Sequence, residues 1–472
     1  MLSADERAQI HEHSLKLLAT TGVRVLSERG RQILKNAGAE VNDGSYIVRF
    51  PRTLVEESLK LAPRKFRLGS RRPGWDLEMN IGKCYLVADG GAVSVFDRKT
   101  GNLRPGTFDD WLTATHLIDA MDEIGVYWNM IEDENAGDSP GDYVSYWRHL
   151  LKNCSKHIQD STDTIEQSKL LLEILQIAFG SSETIRQLHP FSHLLCPMSP
   201  LVIDQTYTDA YLEMVGFDIP VAIMPMPLMG ATGPASLVST LMLANSEVLA
   251  MLSLVQAAAP GTPVIYAPIP QTVEPRTWRY TGGAVENAIF GAAVTEMGRY
   301  YGLPVEGSAG GTDQYAPGAQ AGYERAINWT LPTLAGPDML IGPGLFGGST
   351  ILCIEQMVID VEIFRRCIRL QDGIDAGSEK WLEDSIGDAG HGGIFLNQRS
   401  TLKAIREGGW YLGKIGFHNT YEKWKSAGMP DAIDEIQQTL NGILKDYQPL
   451  QLDAQADREL ECLERKVREL EN

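Results

Sequence analysis

From about residue 106 onward, short apolar runs rich in β-branched residues alternate with longer amphipathic segments. One such segment places Leu237, Leu241, Ala244 and Val248 at alternating steps of four and three, and Pro260-Gly261 ends it, which predicts a helix. Alternation of this kind is typical of parallel strands joined by helical crossovers. The candidate strands are 124–129, 156–160, 192–198, 220–226, 263–268, 304–309, 339–342 and 392–396. Eight of them predict an α/β chain folded as a closed TIM-type (β/α)₈ barrel.

The two ends of the chain differ from this rhythm. Ser3, followed three residues later by Glu6, predicts the start of a helix, while 46–50 and 83–97 have the pattern of strands in a small α+β cap. Near the C-terminus, apolar residues spaced among charges predict an amphipathic helix that docks on the body or on another subunit. We therefore predict an N-terminal cap over 1–105, a barrel over 106–445 and a C-terminal helical extension over 446–472.

The charge of the chain limits its partners. With 61 acidic and 42 basic residues its formal net charge is −19, which disfavours nucleic acid and anionic lipid and favours cationic small molecules. No stretch approaches the roughly 20 uninterrupted apolar residues that cross a bilayer, and the N-terminus lacks the pattern of a secretory signal. A cytoplasmic protein without a membrane partner is expected. The six cysteines have no paired spacing, and no converging His and Cys set predicts zinc.

Several segments of the chain resemble one enzyme family. They read MPLMGATGP at 226–234, NSEVLA at 245–250, APGTPVIY at 259–266, YYGLPV at 300–305 and AQAGYE at 319–324. Shorter matches lie at 21–23, 37–41 and around Trp424, so that the resemblance covers nearly the whole chain. The combination is similar to the trimethylamine methyltransferase family.

The resemblance implies a barrel enzyme that moves a methyl group from an amine to the Co(I) atom of cobalamin, a corrinoid carried by a partner protein. The name-giving members use pyrrolysine, whereas this chain is written with ordinary residues and is similar to the branch that acts on quaternary amines. Glycine betaine is the first substrate candidate, with proline betaine, carnitine and choline as alternatives. No directly bound metal is implied, and a homo-oligomer is expected.

Candidate site residues lie just after predicted strands, where a barrel of this kind carries its active site. Aromatic rings attract a quaternary ammonium group through their faces. Core packing is the alternative for each ring. The candidates for this role are Trp128, Tyr266, Tyr315 and Phe346, with Trp278 and Tyr280 on a following loop.

Polar candidates complete the predicted site. Glu306 would complement the cation by charge, unless it forms a salt bridge with Arg299 or another basic side chain instead. Glu306 and Tyr315 are the two residues to which a catalytic role is assigned. His391 would donate a hydrogen bond to a substrate carboxylate, although a structural loop histidine is equally expected. His157 and Gln159 share one face of a strand and are candidates for inward positions. The glycines of the 342–348 loop, namely Gly344, Gly347 and Gly348, would leave room for the corrinoid.

Two rival functions remain open on the sequence. A barrel glycosidase would use two carboxylates from among Glu132, Asp160, Glu306 and Asp313. A betaine-binding module would need only an aromatic cage. Formation of methylcobalamin from Co(I) cobalamin and a quaternary amine would separate the three functions.

Overall fold

The computed structural model describes residues 1–471 apart from the side chain of residue 434, and its centre is an eight-stranded parallel sheet. We number the barrel strands β1 (Tyr85–Val87), β2 (Ile124–Tyr127), β3 (His157–Asp160), β4 (Phe191–Leu195), β5 (Val221–Ile223), β6 (Val264–Tyr266), β7 (Glu306–Ser308) and β8 (Met339–Ile341). They are hydrogen-bonded in the order β6-β5-β4-β3-β2-β1-β8-β7. A parallel bridge between Tyr266 and Val305 joins the two outer strands, with the Tyr266 N–H donating to the Pro304 carbonyl at 2.8 Å. The predicted TIM-type barrel is confirmed.

The first barrel strand differs from the prediction. β1 lies inside the 83–97 run, which the sequence pattern assigned to the cap, and it pairs with β2 on one side and β8 on the other. The strand predicted over 392–396 is wrong, because those residues form turns and irregular structure that is exposed to solvent. Seven of the eight predicted runs therefore contain barrel strands, and the missing one comes from the N-terminal region.

Helices form the outer layer of the barrel. After β2 to β8 the crossovers carry, in turn, Pro140–Asn153, Ile165–Phe179 with Ser182–Leu188, Thr206–Leu212, Leu237–Ala258, Val285–Tyr301, Ala319–Ala335 and Ile354–Gln371, while Phe108–Ala120 links β1 to β2. The Leu237–Ala258 helix is long and apolar enough to cross a membrane by composition, but 83% of its most apolar window is buried inside the protein. A core helix passes the same composition test, and this helix packs against the N-terminal helices.

The N-terminal elements cover one flank of the barrel. Ser3 forms the predicted capping box with Glu6 and starts the helix Ala4–Thr20, which is followed by the helices Glu28–Asn36 and Arg52–Leu61. The strands Val23–Val25, Glu40–Asn42 and Ile47–Arg49 form a sheet with Val202–Ile203. The remaining short strands are Arg67–Leu68, Leu77–Glu78, Ser94–Asp97, Asn102–Arg104, Leu228–Met229, Gln271–Val273, Tyr280–Thr281, Leu345–Phe346 and Ile351–Leu352.

The C-terminal helix Ala454–Glu471 docks on the body of its own chain. Leu460 and Leu463 are buried against the barrel's outer layer. Arg148 of the helix Pro140–Asn153 contacts Asp457 at 2.7 Å, and Arg468 contacts Asp142 at 2.9 Å. The prediction left two docking partners open, the body of the same chain or another subunit, and the structure shows the helix on the body.

Large apolar side chains are exposed throughout the segment 374–429, which we call the C-terminal strap. The strap contains the short helices Glu383–Ala389, Arg399–Arg406 and Tyr421–Ser426, with a 3₁₀ turn at Ser378–Lys380, and it precedes the helix Ala432–Asp446. Its exposed apolar residues are Ile374, Trp381, Leu382, Ile386, Ile394, Phe395, Leu396, Leu402, Ile405, Trp410, Leu412, Tyr421 and Met429. Such a concentration is unusual for a surface that faces only water.

Candidate active site

A cavity of about 470 Å³ lies at the carboxyl ends of the barrel strands, where this fold carries its active sites. We call it the barrel cavity. Met226 lines it and is 49% exposed, so that the cavity reaches the surface on that side. Its polar and aromatic lining residues are Asp89, Trp128, Gln271, Tyr280, Asn287, Ser308, Thr312, Asn328 and Ser349, and the rest are glycine and apolar residues.

Two aromatic rings line the barrel cavity, and each depends on a neighbouring glycine. A Cβ atom on Gly90 would lie 2.5 Å from the Trp128 indole, and one on Gly348 would lie 2.5 Å from the Tyr280 ring. Real Cβ atoms do not come so close. The two rings can therefore occupy these positions only because both neighbours are glycines. Gly348 also has a φ of +69°, which glycine adopts readily and other residues rarely do.

Asp89 supplies a carboxylate to the same cavity, and it follows β1. Its Oδ2 accepts a hydrogen bond from the Ser349 hydroxyl at 2.6 Å, and its Oδ1 accepts one from the Gly90 N–H at 3.0 Å. Burial raises the pKa of Asp89 to about 6, although these hydrogen bonds and the charge of Arg325 act in the opposite direction. At neutral pH Asp89 is therefore mostly ionised and gives the barrel cavity a negative charge.

Two carboxamides face the barrel cavity from neighbouring helices. Asn287 donates through Nδ2 to the Thr281 carbonyl at 2.7 Å, and Asn328 donates through Nδ2 to the carbonyls of Gly282 and Gly311, both at 3.1 Å. The Oδ1 atom of each amide is buried and accepts no hydrogen bond from the described residues. The carbonyl partners can only accept, which fixes Nδ2 on their side and leaves Oδ1 as the free end.

A polar network crosses the barrel interior beneath the cavity. Gln159 on β3 donates through Nε2 to Glu306 Oε2 on β7 at 3.0 Å, and His157 Nε2 lies 2.9 Å from Ser192 Oγ. His157 and Gln159 thus point inward, as their shared strand face predicted. Ser308, two residues after Glu306 on the same strand, lines the cavity, which places Glu306 about 6.6 Å lower along the strand.

Glu306 is fully buried, and burial raises its pKa to about 7. Its Oε1 atom accepts no hydrogen bond from the described residues. The predicted alternative, a salt bridge with Arg299, is wrong: Arg299 instead contacts Asp338 at 2.8 Å. Within the described part of the chain no basic side chain forms an ion pair with Glu306, and its carboxyl group titrates near neutral pH.

Replacing Glu306 by glutamine is expected to stabilise the fold at neutral and alkaline pH. Between the unfolded pKa of about 4.5 and the folded pKa of about 7, the folded wild type binds more protons than the unfolded chain, so its stability falls as pH rises through this window. Glu306→Gln removes this loss. Above pH 7 the free energy of unfolding of the variant should therefore exceed that of the wild type by at most roughly 3 kcal/mol. Urea unfolding at pH 5, 6, 7 and 8 measures the difference, with the exposed Glu134→Gln as control. A gain that is equal at every pH contradicts the assignment.

The other predicted aromatic residues lie away from the barrel cavity. Tyr266 points outward from β6 into the core, and its hydroxyl contacts Asn245 Oδ1 at 2.9 Å. Phe346 is fully buried beneath the guanidinium of Arg325. Tyr315 is 56% exposed on the loop beside Gly347. Among the described residues, none of these three rings lines the cavity. Neighbouring residues on a strand point to opposite faces, so that a shift of one position turns a ring away from the cavity, and a turn of the loop has the same effect.

His391 and the glycine loop also differ from their expected surroundings. His391 is exposed in the C-terminal strap and does not line the described barrel cavity. Added Cβ atoms would meet Met130 at Gly344, Tyr315 at Gly347 and Tyr280 at Gly348. Larger residues would therefore disturb the packing at these three positions, and Gly348 itself lines the barrel cavity. A position of these glycines beside the corrinoid stays a prediction.

None of the seven polar, non-aromatic residues that line the barrel cavity was a candidate on the sequence, and Asp89, Asn287 and Asn328 are three of them. Asp89 was overlooked because the pattern around β1 reads as part of the cap. Asn287 and Asn328 lie on helices, at 285–301 and 319–335, whereas the sequence candidates lie on the strands and the loops that follow them. The Gly90-Gly91 pair after Asp89 was the available signal, since glycines that follow a strand allow a ligand or side chain to approach the backbone closely.

The chain is similar to named methyltransferases over nearly its whole length. It is 27% identical to the trimethylamine methyltransferase MttB of Desulfitobacterium hafniense (strain DSM 10664 / DCB-2) over 95% of this chain and 90% of the relative. It is also 27% identical to the glycine betaine methyltransferase of Desulfitobacterium hafniense (strain Y51), over 98% and 96% respectively.

One solved structure and a family model also match the chain. The Methanosarcina barkeri monomethylamine methyltransferase (MtmB) aligns with a TM-score of 0.48 and 11% identity, over 93% of this chain and 91% of that one. The family model described as trimethylamine methyltransferase (MTTB) matches residues 1–470. The chain therefore belongs to the trimethylamine methyltransferase (MTTB) family.

Proposed function

We propose that this methyltransferase takes a methyl group from a quaternary amine and transfers it to the Co(I) atom of a corrinoid held by a separate protein. The observation that carries the proposal is the lining of the barrel cavity, where the rings of Trp128 and Tyr280 and the carboxylate of Asp89 converge. Aromatic faces and a buried carboxylate are the groups that recognise a fully alkylated cationic nitrogen. Glu306, beneath the cavity, adds negative charge when it is ionised.

The chemistry of a quaternary amine suits a site of this composition. When the C–N bond breaks, the nitrogen keeps the electron pair and leaves as a neutral tertiary amine, so that the leaving group needs no proton. The corrinoid supplies Co(I) as the nucleophile that receives the methyl carbon. Binding, orientation and exclusion of water are then the tasks of this chain. Met226 at the rim marks the side on which the cavity is open to a partner.

The substrate candidates are those that the sequence resemblance implies. Glycine betaine comes first, and the name of one relative supports it. Proline betaine, carnitine and choline share its quaternary nitrogen and remain alternatives. The corrinoid protein is proposed as a co-substrate, and the roles of Tyr315 and His391 stay predictions, as does a cytoplasmic location.

Methyl transfer to free Co(I) cobalamin tests the proposal directly. The purified chain is mixed with reduced cobalamin and each quaternary amine in turn, and methylcobalamin is followed by its absorbance. We expect methylcobalamin with at least one amine and none without protein. Amine binding without any transfer would favour a binding module, and no binding of any quaternary amine would refute the proposal.

The glycosidase alternative is not supported by the positions of its carboxylates. Glu306 lies below the cavity, and Asp313 is occupied by the Thr281 hydroxyl at 2.5 Å and the Gly282 N–H at 2.8 Å. Among the described residues, Asp89 is the one carboxylate that lines the barrel cavity. Glycoside hydrolysis uses a pair that flanks the scissile bond.

We also propose that the chain forms a homo-oligomer in which the C-terminal strap packs on a second copy. The strap exposes both aromatic and aliphatic residues, including Trp381, Phe395 and Leu396. The side chains of Trp381, Gln398 and Thr401 form their hydrogen bonds within the strap. A surface of this kind is typical of a subunit interface rather than of a monomer.

Charges placed in the C-terminal strap are expected to break this assembly. Ile394→Lys/Leu396→Lys should lower the mass measured by light scattering, because a buried lysine without a partner costs several kcal/mol. The control is Leu61→Lys, which changes an exposed leucine on the opposite, N-terminal part of the chain. A wild-type monomer, or a double variant of unchanged mass, contradicts the proposed interface.

A further inference from the structure

The turn that follows β8 contains a serine in a backbone conformation that favours glycine. Gly347, Gly348 and Ser349 have φ values of +57°, +69° and +63° in succession. Glycine adopts this left-handed region readily, whereas the Cβ atom of any other residue is crowded there. Eight of the described non-glycine residues have a positive φ, and Ser349 is the one that lines the barrel cavity. A backbone outlier at such a place points to a role for its side chain.

The turn itself is held by hydrogen bonds that do not involve the Ser349 side chain. The Thr350 N–H donates to the Phe346 carbonyl at 3.0 Å, and the Thr350 hydroxyl donates to the Gly347 carbonyl at 2.8 Å. From the segment after β1, the Val93 N–H donates to the Thr350 carbonyl at 3.0 Å. The shape of the turn is therefore fixed without the serine hydroxyl.

The hydroxyl of Ser349 instead holds a carboxylate of the cavity. It donates to Asp89 Oδ2 at 2.6 Å, while the Gly90 N–H donates to Asp89 Oδ1 at 3.0 Å. The bond from Gly90 is local to the loop after β1, whereas the bond from Ser349 joins that loop to a turn 260 residues further along the chain. A hydroxyl-to-carboxylate bond of this length is among the stronger hydrogen bonds in proteins. Each carboxylate oxygen thus has its own donor.

The same turn also sets the position of an aromatic ring. A Cβ atom on Gly348 would lie 2.5 Å from the Tyr280 ring, so that the ring occupies its place because residue 348 is glycine. Two groups that we propose for cation recognition, the Tyr280 ring and the Asp89 carboxylate, therefore depend on adjacent residues of one turn.

We infer that Ser349 is a positioning residue, whose hydroxyl holds the Asp89 carboxylate on the wall of the barrel cavity in place for the cationic nitrogen of the substrate. The inference rests on the proposed function and adds to it a residue that acts through Asp89. A carboxylate that is held at both oxygens has one orientation before the ligand arrives, so that less conformational freedom is lost on binding.

The charged and titratable neighbours of Asp89 stay the same when residue 349 is changed. Arg325 lowers the pKa of Asp89 and Asp360 raises it, and these two residues pair with each other at 2.6 Å. Tyr280 also lies near Asp89, and burial raises the pKa of its phenol, which is therefore neutral below pH 8. The hydrogen bond from Ser349 lowers the pKa of Asp89, so that its removal should raise this pKa.

Ser349→Gly and Ser349→Ala test the inference in the intact chain. The pKa of Asp89 is measured by the infrared band of its protonated carboxyl group, which is identified by its absence in Asp89→Asn. We expect both variants to raise this pKa by about one unit, which is a tenfold change in proton affinity. Binding of tetramethylammonium should then be about threefold weaker than in the wild type at pH 6.5 and nearly equal at pH 8.

The glycine variant separates positioning from a structural role. Glycine suits the left-handed backbone, so that Ser349→Gly should keep the wild-type resistance to urea while its pH profile shifts. Asp218→Gly is the matched control, because Asp218 is exposed, has a φ of +50° and precedes β5 on the rim opposite the cavity. It should leave the pKa of Asp89 unchanged.

The possible outcomes keep this inference apart from the proposed function. An Asp89 pKa that is unchanged in both Ser349 variants, or that shifts equally in Asp218→Gly, overturns the inference. The infrared titration needs no ligand, so that it decides the role of Ser349 toward Asp89 even if tetramethylammonium and the other quaternary amines fail to bind. Failure of all of them to bind would instead refute the proposed function.

Discussion

Replacing Trp128 by alanine is expected to weaken the binding of every quaternary amine about thirtyfold, and methyl transfer at low substrate concentration should fall with it. The indole lines the barrel cavity beside Gly90, and the face of a desolvated tryptophan contributes roughly 2 kcal/mol to a bound cation. Trp128→Phe keeps an aromatic face and should lose less. Titration calorimetry with tetramethylammonium gives the cleanest value, since that ligand has no other functional group.

Trp278→Ala is the matched control for this experiment. Trp278 lies on the loop that precedes Tyr280 but is 70% exposed, and it does not line the described cavity. Its removal should leave affinity unchanged. Equal losses in the two variants, or no loss in Trp128→Ala with the fold intact by circular dichroism, would show that the cation binds elsewhere.

Asp89→Asn is expected to cost about thirtyfold in affinity at pH 8 and to remove most of the pH dependence of binding. One opposite charge at about 5 Å in a partly buried site contributes roughly 2 to 3 kcal/mol. In the wild type the carboxylate is ionised above its pKa of about 6, so affinity should rise as pH increases through 6 and then level off. Bound cation favours the ionised form and shifts this rise to lower pH.

The charged neighbours of Asp89 define the controls. Arg325 and Asp360 flank it with opposite signs, and Glu306 below the cavity titrates near pH 7, within the same range. Glu306→Gln should therefore retain the rise through pH 6, whereas Asp89→Asn should not. Wild-type affinity that is constant from pH 5 to 8 would contradict a role for the Asp89 carboxylate.

Much of the barrel could be predicted from the sequence because its signals are local. The Leu237–Ala258 helix has a clear apolar periodicity and ends before Pro260-Gly261. The runs that contain β2 to β8 are separated by further helices whose sequence patterns are similarly clear. β1 follows an irregular stretch instead of a long amphipathic helix, and one of its two partners, β8, lies about 250 residues further along the chain. Local pattern cannot distinguish it from a strand of the cap.

Side-chain direction limited the prediction of the site. Parallel barrel strands are buried on both faces, and alternation between polar and apolar residues is weak. Ile265 points into the barrel and Tyr266 away from it, although both are fully buried and adjacent in sequence. The ring of Tyr266 was consequently a reasonable candidate by position and is nevertheless a core residue.

The sequence by itself determined the family, the barrel rhythm, the acidic balance and the placement of Trp128 after a strand, because each of these resides in residue type and spacing. The tertiary structure decided which side chains meet. It brings Asp89, Tyr280, Asn287 and Asn328 into one cavity from segments that are up to about 240 residues apart, since closure of the barrel places the carboxyl ends of all its strands on one rim. Contacts of that range depend on strand order and register, which no local pattern encodes.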